Sequence, residues 1–399
     1  MIRMNNKKII GKRIILVVSL LVAVLVCSYF AQHYIMTRLD VTQRRLQGFY
    51  MEEKNSLDMV ILGSSETYNG YAPPKAYEKY GITSYLYGYQ ANPVTLWKYQ
   101  LKEIERTQNP KVLIIECNGA VYDEDGFENP AEVRFMTDDM PFSMNKVHLI
   151  REEGTESTLS YYFPILKYHT HLIPGNGTKS KILMEERGFN ILRGTQARVA
   201  GDPISKKRID VTGDTSMAEL DPVAEESLTE FLKLCQESDI EHIVFVRFPH
   251  VVTDYNYKRF QRYHKIREMV ESYGFDYVDM DQYMDDMEMT FEEDFLDCEH
   301  LNAKGARKLT DFMVGYMVKT YNMEPRKQST KVVDQWEDSV EYYNHLYDYW
   351  SYFKETYPNV TAGKYNLDDD VRSNMRINAY VEGHPIPPAK KDLNIEKGN

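Results

Sequence analysis

Cysteine is scarce: four in 399 residues, with Cys27 inside an apolar run near the amino terminus. The other three, Cys117, Cys235 and Cys298, are too few and too widely spaced for a disulfide framework, and none has metal-site spacing. Buried free thiols are expected, although Cys117 and Cys298 fall in blocks that could come together. Histidines give no metal site either: His169 and His171 sit two apart with no matching carboxylate or thiol, so neither metal nor cofactor is expected. His148, His242, His250 and His264 read as ordinary surface or core histidines. Basic charge is also in deficit, with 48 Lys and Arg against 60 Asp and Glu and a net charge of −12. Such a chain is a poor partner for nucleic acid, which needs basic patches. There is no internal repeat. A charged fraction of 27% and a hydrophobic fraction of 43% exclude wholesale disorder.

Charge is missing altogether from Ile14 to Ala31, a run rich in Ile, Leu and Val and long enough to cross a bilayer. Arg3, Lys7, Lys8, Lys12 and Arg13 precede it with no acidic residue, while Arg38, Arg44 and Arg45 beyond it are diluted by Asp40. The positive-inside bias predicts a cytoplasmic amino terminus (1–13), a membrane anchor (14–34), a linker (35–56) and an extracytoplasmic remainder. No small-x-small site follows the run, and Val26 precedes Cys27 where a lipobox needs a small residue, so an uncleaved anchor is expected. Tyrosine is heavily used, with 31 residues against 16 phenylalanines.

Beyond the linker the pattern alternates. Met59-Val60-Ile61-Leu62 reads as a strand buried on both faces, broken at Gly63. Helix about 74–78, strand 82–88, helix 94–106 and strand 111–116 follow, and then the rhythm lapses from about 121 to 222. Only weak helical pieces at 144–151 and 161–171 and a turn at Pro174-Gly175-Asn176-Gly177 stand out there, so this is read as an inserted cap over the carboxyl end of the sheet. Helix 221–236, strand 241–248, helix 255–272, strand 273–280 and helix 303–321 resume the alternation. This predicts an α/β domain over 57–323, a doubly wound parallel sheet between helical layers, with an extension at 324–399 that holds one helical patch, about 332–356.

In such a sheet four loops converge on one edge: Gly63-Ser64-Ser65, Gly88 to Asn92, Glu116-Cys117-Asn118-Gly119 and Asp297-x-x-His300. Together they supply a hydroxyl nucleophile, backbone N–H donors, a side-chain amide, and a histidine with a carboxylate three residues before it. That is the inventory of acyl transfer.

The order and placement of these blocks resemble the SGNH (GDSL-type) hydrolase superfamily, which has Gly-Asp-Ser at the first strand, a glycine after the second, Gly-x-Asn-Asp after the third and Asp-x-x-His near the end. On that resemblance the fold is a three-layer α/β/α flavodoxin-like domain, and Ser65 takes the nucleophile's place, with Ser64 the alternative. Asp297 and His300 match the last block, and Leu301-Asn302-x-x-Gly305 looks like envelope-facing branches. The resemblance implies oxyanion donors at the Ser65 N–H, at Gly88 or Ala91, and at the Asn118 amide, although Glu116 and Gly119 replace the Gly and Asp of the third block. The Gly-Ser-Ser-Glu start and the anchor look like the membrane-anchored proteins of teichoic-acid D-alanylation and of exopolysaccharide O-acetylation. The function this implies is esterase or acyltransferase chemistry on acyl, foremost O-acetyl, esters of an envelope polysaccharide at the cell membrane. The alternatives are a non-catalytic glycan-binding or assembly scaffold and a helper of a membrane-bound O-acyltransferase.

Overall fold

The computed structural model describes residues 2–38, 41–123, 126–127, 130–168, 182–184, 189–196 and 207–356. His169, His171, the turn at 174–177 and the chain from 357 lie outside them.

Helix α1, Ile2–Ile35, contains the apolar span Ile9–Phe30, 22 residues whose most apolar stretch is not buried against the protein. Its Leu, Ile and Val side chains face outward all round, as a helix long and apolar enough to cross a membrane would have them. A short antiparallel ribbon pairs Met36–Arg38 with Ile182–Met184. Within the expected linker, helix α2, Val41–Phe49, packs on the sheet edge: Phe49 stacks on Tyr87 with ring centres 4.1 Å apart, and Tyr85 donates to the Arg45 carbonyl at 2.7 Å.

Five parallel strands form the sheet: β1 Met59–Gly63, β2 Ser84–Gly88, β3 Val112–Glu116, β4 His242–Arg247 and β5 Asp276–Asp279, in the order β2-β1-β3-β4-β5. β1, β2 and β3 are buried along their whole length, which is why they read as continuous apolar runs and not as alternating ones. The alternation is still there, divided between two cores. Val60, Leu62, Leu113, Ile115 and Phe245 face one layer, and Met59, Ile61, Ile114, Val244 and Val246 the other.

The first layer holds α5, Val94–Thr107, α6, Pro222–Gln236, and α7, Tyr257–Ser272; the second holds α4, Pro73–Tyr80, and α8, Ala303–Tyr321. A one-and-a-half-turn helix, α3 (Ser65–Gly70), leaves β1 directly and was not foreseen from sequence. Side chains cap the starts of α6 and α8. Asp221 accepts from the Val223 N–H at 2.9 Å, and Asn302 accepts from the N–H groups of Lys304 and Gly305 at 2.9 and 3.1 Å.

The inserted segment contributes helices Pro130–Asp139, Met144–Glu153, Thr158–Tyr162 and Ile165–Tyr168, the last two replacing the single piece expected at 161–171. Buried Arg134 ties them together. It bonds Asp138 at 3.2 Å, Glu156 at 2.8 Å and the Ser160 carbonyl at 2.7 Å, with its guanidinium 3.9 Å over the Tyr161 ring. In the carboxyl-terminal extension, α9, Thr330–Thr356, returns to the domain, stacking Trp336 on Tyr77 of α4 at 5.1 Å. Cys117 and Cys298 do not approach as a pair. They pack in cores on opposite faces of the sheet.

Candidate active site

The strand order reverses direction at β1, so the crevice between the carboxyl ends of β1 and β3 is where an open sheet of this topology presents a ligand site. Two glycines let the loops close there. A Cβ on Gly63 would lie 2.3 Å from Thr67 Cγ2 and 2.6 Å from Glu116 Cβ, and one on Gly88 would lie 2.0 Å from the Gly63 carbonyl oxygen. Asn92 completes this corner by donating its amide to the Gly63 carbonyl at 3.2 Å.

Ser65 is the first residue of α3, and its Oγ lies 2.7 Å from His300 Nε2. The other imidazole nitrogen, Nδ1, lies 3.0 Å from both carboxylate oxygens of Asp297. Asp297 is itself held by the backbone N–H groups of Glu299 and His300, at 2.8 and 2.9 Å. With Asp297 accepting from Nδ1–H, Nε2 is left as the acceptor and Ser65 becomes the donor. Burial alone would lower the imidazole's pKa. The hydrogen bond and charge of Asp297, with Glu66 and Glu299 behind them, outweigh it and raise His300 above its ordinary value. Partial burial disfavours the Asp297 charge, but bonding to His300 wins and holds Asp297 below the usual carboxylate range.

Ser64 has a different place. It is fully buried and caps α3, its Oγ accepting from the Glu66 N–H at 3.3 Å, and its side-chain hydrogen bonds run to Glu66 and Asn118 and not to His300. Of the expected oxyanion donors, the Ser65 N–H stands at a helix start, where no intrahelical partner exists. Gly88 is built into the sheet opposite Gly63. Ala91 takes a left-handed conformation, φ 51°, which turns the loop between β2 and Asn92. Asn118, in the 3₁₀ turn Cys117–Ala120, gives its amide to Glu66 Oε1 and lies 3.4 Å from Ser64 Oγ.

A buried polar cluster behind the serine escaped the sequence reading. Glu116 stands where the third block has glycine, and its two oxygens accept the N–H groups of Ser64, at 2.8 Å, and Asn118. It thereby clamps β1's loop to β3's. Burial, with the charge of Glu66 next, pushes Glu116 up to about 8. Burial, then the charge of Glu299, raises Glu66 well above the ordinary carboxylate range. His250 Nε2 lies 2.9 Å from Glu66 Oε1, and burial followed by the Arg247 charge lowers its pKa. Arg247 is locked at the end of β4 by Asp279 at 3.2 Å and Asp281 at 2.5 Å. Glu66, Asn118, His250, Arg259, Tyr263 and Glu299 border a small cavity with about 10 Å³ of room, roughly one water. The signal for His250 was present: Pro249-His250 follows a strand end, as three of the four recognised loops do. Among the described residues no group of three His, Cys, Asp or Glu is placed to hold a metal ion. No family model matches the chain, and no curated protein matches it in sequence.

Proposed function

We propose that this chain is a serine-dependent ester hydrolase or O-acyltransferase of the SGNH type. In this reading α1 anchors it in the cell membrane with the amino terminus cytoplasmic, and it acts outside on acyl, foremost O-acetyl, esters of an envelope polysaccharide. The observation that carries the reading is the relay Ser65–His300–Asp297, with contacts of 2.7 and 3.0 Å, at the switch point of the sheet. His300 Nε2 takes the Ser65 proton as Oγ attacks the ester carbonyl, and Asp297 holds the tautomer and steadies the imidazolium that forms. The Ser65 N–H and a donor from the Gly88–Ala91 loop meet the oxyanion. His300 then returns the proton to the departing alcohol, and the acyl group on Ser65 passes to water or to a sugar hydroxyl.

The engagement of the Asn118 amide by Glu66 favours a second reading, a glycan-binding scaffold or a helper of a membrane-bound O-acyltransferase, since it takes up a donor the oxyanion would otherwise receive. A chromogenic acetyl ester separates the two. Purified full-length protein that hydrolyses it, with loss of the activity in both Ser65→Ala and His300→Ala while circular dichroism is unchanged, supports the serine enzyme. Activity that survives Ser65→Ala sinks it.

A further inference from the structure

The inserted segment exposes large apolar side chains where a soluble surface would not gather them. Phe142 is 60% exposed, Met144 66%, Leu159 62% and Leu166 53%, on or beside three consecutive short helices. Single exposed apolar residues are ordinary, but four of them on short helices that pack on one another mark an interaction surface. The location of this cluster says what covers it. Tyr29, in the last turn of the apolar span, meets Phe142 edge-on at 6.3 Å and Phe163 at 6.4 Å, and Phe142 in turn meets Tyr162 at 6.3 Å. Gln32 donates to the Tyr162 carbonyl at 2.6 Å, fixing the segment to α1 immediately past Phe30.

That bond lies two residues beyond the span's end, about 3 Å along the helix axis at the α-helical rise. The headgroup region on each side of a bilayer is roughly 5–7 Å thick. Aromatic side chains gather at this depth in membrane proteins, with apolar neighbours dipping into the acyl boundary. We propose that the inserted segment is a second membrane contact: Phe142, Met144, Leu159 and Leu166 enter the headgroup–acyl boundary beside the point where α1 leaves the bilayer. The inference goes beyond ester chemistry and rests only on the reading of α1 as a membrane anchor. Its consequence is a catalytic domain held at one tilt and height on the membrane, in place of one swinging on a tether.

Photocrosslinking tests it. p-Benzoylphenylalanine is placed singly at positions 142, 144, 159 and 166, at Val22 within the span, and at Tyr255, an exposed position just ahead of α7. Each full-length protein is reconstituted in vesicles of phosphatidylglycerol and phosphatidylethanolamine, irradiated, and analysed for lipid adducts by mass spectrometry. Adduct yields at 142 and 144 several-fold above that at 255 are expected. Adducts at Val22 with a patch no better than 255 would overturn the second contact while leaving the anchor. Crosslinks from the patch to another copy of the chain would overturn it in favour of a dimer. Absence of adducts at Val22 would remove the anchor and this inference with it.

Discussion

Ser65 and His300 are 235 positions apart in the chain and 2.7 Å apart in space, joined Oγ to Nε2. The contact depends on which imidazole nitrogen carries the proton, and Asp297 decides that. Asp297→Asn keeps the shape of the side chain but lets its amide donate to Nδ1, which stabilises the tautomer that cannot accept from Ser65. The expected result is a fall in kcat of about a thousand- to ten-thousand-fold with a much smaller change in KM, measured on an acetyl ester. A loss below about tenfold would mean that Asp297 does not orient the base.

The raised pKa of His300 sets two pH dependences of opposite sign. Only neutral His300 accepts the Ser65 proton, so kcat/KM should rise with pH and reach half its plateau above the ordinary histidine value of about 6.5. The fold gains the opposite way: because the folded pKa lies above the unfolded one, the stabilisation from protonated His300 is full below about 6.5 and is lost as pH rises through the folded value. An activity profile with its midpoint below 6 would contradict the pairing with Asp297.

Ser64, one residue earlier, should behave as a structural residue. Its hydroxyl caps α3 and its side chain is fully buried, so Ser64→Ala should lower stability by about 1 kcal/mol and leave hydrolysis within a few-fold of wild type. Equal inactivation by Ser64→Ala and Ser65→Ala, each folded, would reverse the assignment between them.

How much of this could be read from sequence follows from the range of each interaction. β1 and β3 were legible because burial on both faces leaves a continuous apolar run, and Asp297-x-x-His300 because its two residues fall within one short block. Strand ends moved inward: 273–280 shrank to Asp276–Asp279, since Tyr273 closes α7 and Gly274 turns the chain with φ 85°. α3 was hidden because six residues carry no measurable periodicity. Glu66 and His250 were hidden for another reason. Separated by 184 positions, each is an ordinary polar residue until the fold buries them against one another. The Leu301-Asn302-x-x-Gly305 block has a plain cause in packing: Asn302 caps α8, and a Cβ on Gly305 would sit 2.3 Å from the Asp294 carbonyl oxygen.

The buried carboxyl of Glu116 makes a prediction about stability and pH. Its folded pKa is raised to about 8, above an unfolded value of about 4.3, so its contribution is present below that unfolded value and lost as pH climbs through the folded one. Melting temperature should therefore decline between pH 5 and 8 by an amount that Glu116→Gln reduces. The same change should cost about 1–3 kcal/mol at pH 5, because an amide accepts only one of the N–H groups of Ser64 and Asn118. A variant with the wild-type pH slope would show that Glu116 is ionised throughout.

Trp336 tests whether the carboxyl-terminal helix belongs to the folded unit. Its indole is fully buried between Tyr77, at 5.1 Å, and the guanidinium of Arg193, at 4.4 Å. Arg193, also buried, reaches Glu52 at 2.6 Å, Ser339 Oγ at 3.0 Å and the Gln335 carbonyl at 2.9 Å, so one side chain of the inserted segment bridges the expected linker and α9. Trp336→Ala removes the stack and leaves a guanidinium beside a void, so a loss of about 3–5 kcal/mol is expected in denaturant unfolding. Trp336→Phe, which keeps a ring against both partners, should lose much less. Unfolding in a single transition, shifted as a whole, would place α9 within the cooperative domain. An early transition confined to α9, with the sheet domain's midpoint unmoved, would make it an appendage.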